Sequence, residues 1–502
     1  MSRISTYALL TSAIALALPT PMAFAQSKDI TIVLQTQPDQ VDPCQSSKSH
    51  VGRVIKQNVI ETITELKDGE ATPRLATEWT QVDEKTWRFK LREGVSFHDG
   101  TPFNAEALQY SMERTLDESL ACEIRTKYFS GAEFTIKPIG DYEVEISSNI
   151  PQPILPKLMS TMVAMSTASP KGEHTRNPIG TGPYRFVEWA PDQQIVLERY
   201  GEYWGEAPEV EKATYIWRSD SSVRAAMVKL GEADIAPTIG VQDATDSSMD
   251  FSYLNSESTR YRIDVAIPPL DDVRVRKALN LALDRQAMVG TVLSADTEIA
   301  TQLVPPGTTG YNPDIKAYSY NPDEARKLLA EAKADGVPVD TEIVVYSRYN
   351  LYPNVDEAMQ VNASMWRDVG FNIKVQFAEA AEWYDLFLKP HAENRGPNLN
   401  EDMHDNNNGD AVFTVFNKYH SQGAQSTIEV PETDDLIDRA AQAVGPERQQ
   451  LYAEMFRAVH DDVVADVPLF HMVGFTRVNP RLEFTPTIAT NSELQLSQVS
   501  FK

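Results

Sequence analysis

The side chains able to do chemistry are scattered through this chain and do not assemble into a catalytic pattern. Its eight histidines, His50, His98, His174, His391, His404, His420, His460 and His471, include no pair at i and i+4 and no His-Glu-x-x-His, so a helix-borne zinc site has no support. No Gly-x-Ser-x-Gly elbow occurs, and a secreted hydrolase would need a triad dispersed along the chain. Gly180-Thr181-Gly182 opens like a phosphate loop, but Arg185 stands where the dinucleotide fingerprint needs a third glycine. The pattern that follows is a strand instead of a helix, which argues against nucleotide binding. One stretch stands out: Asp402-Met403-His404-Asp405-Asn406-Asn407-Asn408-Gly409-Asp410, between Arg395 and the apolar Ala411-Val412-Phe413. Its composition reads as an exposed polar loop. As a cluster of carboxylates and amides it could also hold an ammonium or a polyhydroxyl compound. Arg395 could clamp a carboxylate, and His404 with His420 could contribute to a metal or metal-chelate site.

At 502 residues and 42% hydrophobic content, the chain exceeds one ordinary domain and predicts at least two lobes. Its net charge of −26 argues against a nucleic-acid partner, which needs a basic stripe. Residues 1–25 read as a signal peptide. Arg3 is followed by the apolar run Tyr7 to Leu18 and then by Ala23-Phe24-Ala25 before Gln26. That run is too short to span a bilayer, for which about 20 apolar residues are needed. Residue 26 is not a cysteine, so the expectation is an exported, soluble protein of the periplasm without a lipid anchor. Cys44 and Cys122 are the only cysteines, and an even count in an exported chain favours one disulfide between them.

Trp87, Phe89 and Leu91 alternate with Arg88, Lys90 and Arg92, the pattern of a strand with one buried face. After the Asp99-Gly100 turn, Asn104 can cap a helix carrying Ala107, Leu108, Met112 and Leu116. A helix is also expected over Val54 to Leu66. Residues 131–148 carry two alternating strands, with Phe134, Ile136, Val144 and Ile146 facing inward. Asp272 caps a helix with Val275, Ala278, Leu279 and Ala282 on one face, and Asn321-Pro322-Asp323-Glu324 opens another. Ile343–Tyr346, the helical pattern from Val355 to Val369, and Ile373–Phe377 predict a mostly parallel α/β sheet. Glu447 to Val464 is a further helix.

Several of these segments carry a resemblance. Leu75-Ala76-x-x-Trp79, Trp87-x-Phe89-x-Leu91-Arg92 and Gly94-Val95-x-Phe97-His98-Asp99-Gly100-Thr101-Pro102-Phe103-Asn104-Ala105 look like the signature of family 5 extracellular solute-binding proteins. So do Ile179 to Phe186, Gly231-Glu232-Ala233-Asp234-Ile235 and Pro268 to Asn280. These are the ligand-capturing subunits of dipeptide, oligopeptide and nickel ABC importers.

The resemblance implies an α/β, two-lobed periplasmic binding protein, class II and peptide-binding-protein-like, with a subdomain inserted in the first lobe. Lobe I would span residues 26–265, including the insertion at about 61–178. Lobe II would span 266–472, and 473–502 would return to complete lobe I. Hinge crossings are expected near 262–270 and 470–478, allowing closure around a ligand. The implied function is capture of a small polar ligand, a peptide, opine or amino-acid conjugate, for delivery to a membrane ABC permease. A metal chelate or an oligosaccharide is the alternative. No catalytic residue, cofactor or resident metal is implied, and the protein would be a monomer. Peptide-binding relatives carry a Trp-x-x-Asp motif whose acid pairs with the ligand's amino terminus. Here Met403 is near the tryptophan's place, and the acid's place falls at Asp405 or Asn406. The implied ligand-binding set is therefore His404, Asp405, Asn406, Asp410, Arg395 and Trp383, with Gln45 and Ser46 from the first lobe. A Cys44–Cys122 bridge would pin that wall of the cleft.

Overall fold

The computed structural model describes residues 27–67, 69–393 and 395–502; the expected signal peptide lies outside them. One large mixed sheet runs through both lobes. In lobe I, Asp29–Leu34 pairs in parallel with Lys212–Trp217, and Gln194–Arg199 and Tyr184–Ala190 follow antiparallel. In lobe II, Ile343–Arg348 lies parallel to both Ile373–Ala378 and Asn398–Asp405. Two long antiparallel strands, Asp250–Ile263 and Asp466–Val478, join the halves. At about 3.3 Å per residue a strand of this length reaches from one lobe to the other. The end of Asp466–Val478 at Arg477 and Val478 pairs with Ile235–Ala236 of lobe I, whereas Glu257 to Ile263 pairs with Asn398–Asp405 of lobe II. Their mutual register slips between Leu254 and Ser258.

The inserted subdomain is a four-stranded antiparallel sheet, Ala76–Asp83, Thr86–Leu91, Glu143–Ser148 and Phe134–Gly140 in spatial order. Phe89 and Leu91 are buried while Arg88 and Lys90 are exposed, as the alternation requires. The helix Ala105–Leu116 packs on this sheet, its first turn capped by Asn104 Oδ1 accepting from the Ala107 amide at 3.0 Å. The Gly180-Thr181-Gly182 segment has a packing role. A Cβ at Gly180 would lie 2.1 Å from the Val59 carbonyl oxygen, and one at Gly182 would lie 2.3 Å from that of Asn58. Only glycine lets these backbones meet.

The helices expected after Asp272 and Asn321 form as Val273–Leu281 and Pro322–Ala334, each capped by that residue's side chain. Two readings change. The helix expected over Val54 to Leu66 is instead the C-terminal turn of Ser49–Ile55, a tight turn with Gln57 at φ +59°, and the strand Thr64–Lys67. Val59, Ile60, Thr62, Ile63 and Thr64 are β-branched and buried, and suit extended chain better than helix. The polar stretch around 402–410 is largely no exposed loop. Its first part, Asn398–Asp405, is an internal strand, and its polar side chains are held by partners on neighbouring elements.

Candidate functional site

Between the lobes lies a cavity of about 690 Å³, within the range of about 300–1,000 Å³ common for small-ligand sites. Lobe II delivers residues to it from the carboxyl ends of three neighbouring parallel strands. Arg348 ends Ile343–Arg348, Glu379 follows Ile373–Ala378, and Met403, His404 and Asp405 end Asn398–Asp405. Such a crevice is where open α/β sheets place ligands. Trp383, Tyr384 and Phe387, on the helix Ala380–Phe387, form an aromatic wall. Lobe I contributes Asp39, Lys48, His50 and Arg53, together with Glu123 and Lys127. The lobes touch beside the cavity, where the rings of Tyr128 and Phe413 meet edge to face at 5.3 Å.

The charges lining this cavity fall into two sets. Asp39 is engaged within lobe I by His50 at 2.8 Å and by Lys48 at 3.4 Å, and the His50 hydrogen bond holds its carboxyl below the usual range. Asp402 is buried against Arg260 at 3.3 Å and against the Lys418 ammonium. Arg260 also binds Asp466 at 2.7 Å, and Asp466 accepts the Tyr419 hydroxyl at 2.5 Å. Burial pushes Lys418 down to about 8 despite its partner.

The other set, among the described residues, makes no ion pair at contact distance. Arg348 lies 5.8 Å from the Trp383 ring centroid, and its Nε is buried without a hydrogen-bond partner, as is Trp383 Nε1. Arg53 donates to the Thr490 carbonyl and to Asn491 Oδ1, at 3.1 and 3.2 Å. Among the described residues Glu257 and Asp405 form no ion pair, and burial, followed by Asp405, pushes Glu257 up to about 7.

Of the residues singled out in the sequence, Asp405, His404 and Trp383 line the cavity. His404 is hydrogen-bonded to Thr414 Oγ1 and held neutral by burial. Asn406 sits behind the surface, donating to the Ser256 and Leu303 carbonyls at 3.0 and 3.1 Å. Asp410 accepts two hydrogen bonds from Arg448, at 3.0 and 2.9 Å, and borders a separate space of about 460 Å³ beside Trp79 and Trp87. Arg395 binds Asp264 at 2.5 Å. Gln45 donates to the Ala121 carbonyl at 3.0 Å, and Ser46 lines a small crevice with Asp405 and Asn407. His420 stacks on Phe416 with Nε2 3.5 Å from Asp438, away from the cavity and from His404.

Cys44 and Cys122 are buried neighbours, Cys122 Sγ donating to the Cys44 carbonyl at 3.3 Å; the expected bridge is not formed here and both are free thiols. Asp42, Cys44 and His174 come close enough to suggest a metal site. The Asp42 carboxylate is already filled by Arg114, at 3.0 and 2.7 Å, and by two backbone amides. Ser258 Oγ and His471 Nδ1 are 2.7 Å apart, yet neither lines the cavity as a hydrolytic pair would require.

Sequence reasoning missed Arg53, Lys127, Tyr253, Glu257 and Arg348. For Arg348 a signal existed: Ser347-Arg348-Tyr349-Asn350 directly follows a predicted strand, where α/β crevices recruit their residues.

A two-lobed α/β sheet with a charged, aromatic-walled cavity between the lobes is the architecture of a solute-binding protein. The chain belongs to the bacterial extracellular solute-binding proteins, family 5, whose middle region it matches over residues 70–424. It is 27% identical over 401 residues to the dipeptide-binding protein of Escherichia coli (strain K12), covering 72% of this chain and 74% of that one. The solved periplasmic binding protein DppA from Helicobacter pylori, in complex with the peptide STSA, superposes with a TM-score of 0.82. It is 18% identical, with 94% of this chain and 98% of that one covered. AgaA from A. tumefaciens R10, in complex with agropinic acid, gives a TM-score of 0.80 at 20% identity, covering 94% and 99%. Members of this family bind small ligands and work with the permeases of ABC importers.

Proposed function

We propose that this protein is exported by a cleavable signal peptide over residues 1–25, acts as a monomer in the periplasm, and captures a zwitterionic ligand of the peptide, opine or amino-acid-conjugate class. It hands that ligand to its ABC permease and has no nucleic-acid partner. One observation supports the reading: the cavity gathers charges of both signs, Arg348, Arg53 and Lys127 with Asp405, Glu257 and Glu123, and among the described residues none of these six forms an ion pair at contact distance. Buried charge is stable only when paired, so a ligand with an ammonium and a carboxylate completes the set. Arg348, with Trp383 beneath it, suits the carboxylate; Asp405 suits the ammonium. Closure follows because only the closed form lets both lobes touch the ligand. His404 is neutral and bonded within the protein and His420 lies elsewhere, which favours this class over a metal chelate. Export also puts the adjacent Cys44 and Cys122 in an oxidising compartment, where they close a disulfide. Non-reducing peptide mapping of exported protein would show a linked peptide, and two alkylatable thiols would remove the bridge.

Native mass spectrometry of protein purified without refolding, before and after denaturation, tests the function. A released compound bearing both an amine and a carboxylate is the expected result. A released neutral sugar or metal chelate would overturn the ligand class.

A further inference from the structure

The helix Val412–Tyr419 belongs to lobe II, yet it carries apolar side chains on two faces. Val415 and Tyr419 turn into a lobe II core with Leu451, Tyr452 and Met455. Phe413, 4% exposed, turns the other way and, among the described residues, is the one lobe II side chain buried in the core of lobe I. Val412 packs beside it against both cores. A helix that is apolar on two faces needs cover on both, and lobe I supplies the second.

That cover is one short segment. Cys122 to Gly131 passes through a single π-helical turn, Arg125–Phe129, with Ile124 and Phe129 anchored in the lobe I core. The Phe129 ring meets Phe134 of the inserted sheet at 5.6 Å. Tyr128 faces the helix and meets the Phe413 ring edge to face, at 5.3 Å and 84°. Gly131 approaches Phe416 so closely that an added Cβ would lie 3.6 Å from its ring. The same two elements line the cavity, through Glu123 and Lys127 on the segment and Thr414, Asn417 and Lys418 on the helix. This seam is therefore part of the cavity's rim. Elsewhere the lobes meet through polar groups, such as Asn407 with Ser492 and Asn354 with Gln242 at 3.5 Å. Water replaces such hydrogen bonds when lobes part, but it does not replace the burial of two rings.

We propose that Phe413 and Tyr128 form an apolar latch that draws the lobes together before any ligand arrives. Charges without ion partners in the empty cavity favour opening, where water reaches them, and the latch opposes that. The ligand-free protein thus populates the closed form, and the ligand completes a shift already under way. Tyr128 is not among the residues lining the cavity, so it sets residence time through closure, without touching the ligand. Control of residence time rests on the solute-binding reading; closure without ligand does not.

The exported protein is stripped of bound compounds by unfolding, dialysis and refolding, and its radius of gyration is measured by small-angle X-ray scattering. Tyr128→Ala should be more expanded than wild type, its ratio of closed to open form lower by about tenfold or more. Tyr128→Phe keeps the ring and should match wild type. Phe413→Ala should expand the protein as Tyr128→Ala does, and the double variant should be no larger than either single one, because both act through one contact. Gln242→Ala, which removes the Asn354 contact, should leave the radius unchanged. Circular dichroism and urea unfolding check that each variant folds, and Tyr128→Leu replaces Tyr128→Ala if the latter does not. Equal radii of wild type and Tyr128→Ala overturn the latch. So does additive expansion in the double variant, which would mean separate loosening of each lobe, or expansion of Tyr128→Phe. In native mass spectrometry of protein purified without refolding, Tyr128→Ala should retain at least about tenfold less of the compound that wild type releases on denaturation. Equal retention overturns the control of residence time. A wild type that releases no compound counts against the solute-binding reading alone, and scattering then decides the latch.

Discussion

Asp402 and Asp405 lie on one strand, three residues apart, and both line the cavity, but only one of the two carboxylates is held by cations at contact distance. Asp402 is enclosed by Arg260 and Lys418, and that network extends through Asp466 to Tyr419. Asp405 opposes another carboxylate and, among the described residues, accepts hydrogen bonds from hydroxyl and amide donors alone. A buried charge with its partners present is part of the scaffold; one without them raises the free energy of the empty cavity and lowers it again when a complementary ligand arrives. Removing a scaffold charge should therefore damage the fold, and removing an unpaired one should damage only binding.

The sharpest break comes from Arg260→Met. It leaves Asp402 and Asp466 short of their shared cation and should lower unfolding stability by roughly 3–5 kcal/mol, the usual cost of removing one member of a buried pair. Urea denaturation of the ligand-free protein measures it. A loss below about 1 kcal/mol would mean that the network is not enclosed as described.

A second test uses pH. Glu401 is buried, accepts the Tyr352 hydroxyl at 2.7 Å, has no cation against it, and is pushed up to about 7 by burial. Between its unfolded value near 4.5 and its folded value, the folded state holds more protons than the unfolded one. This contribution is present in full below pH 4.5, declines as pH rises and is lost above about 7, a span worth on the order of 3 kcal/mol. Glu401→Gln should flatten that decline. An unchanged slope between pH 4.5 and 7 would show that Glu401 titrates normally.

Local periodicity and capping were enough to place the inserted sheet and the helices after Asn104, Asp272 and Asn321, because those signals are carried by neighbours in sequence. The cavity was only partly legible. Trp383, His404 and Asp405 line it, but Arg395 and Asp410 look equally functional in sequence and face Asp264 and Arg448. Whether a charge is spent depends on partners 131 and 38 residues away, and that pairing leaves no trace in composition. Asn398–Asp405 shows the same limit, since a strand whose polar side chains are held by distant partners reads as a loop. Glu257 was invisible because its meaning comes from the cross-strand register with Asp405.

The smallest effect on the fold should come from Arg348, and it probes the same distinction from the other side. Its guanidinium has no carboxylate partner, its Nε is unsatisfied, and its contact is with the face of Trp383. Arg348→Ala removes a charge with no contact ion pair along with a cation–π contact at 5.8 Å, so the two losses nearly cancel and unfolding stability should change by less than about 0.5 kcal/mol. Binding of a carboxylate-bearing ligand should fall about tenfold or more, because the ligand's own charge is then left unpaired in the cavity. Arg348→Lys should recover part of this by restoring the charge without the planar fork that grips a carboxylate. If Arg348→Ala instead destabilised the fold as Arg260→Met does, Arg348 would belong to the scaffold, and the carboxylate end of the ligand would have to be sought at Arg53 or Lys127.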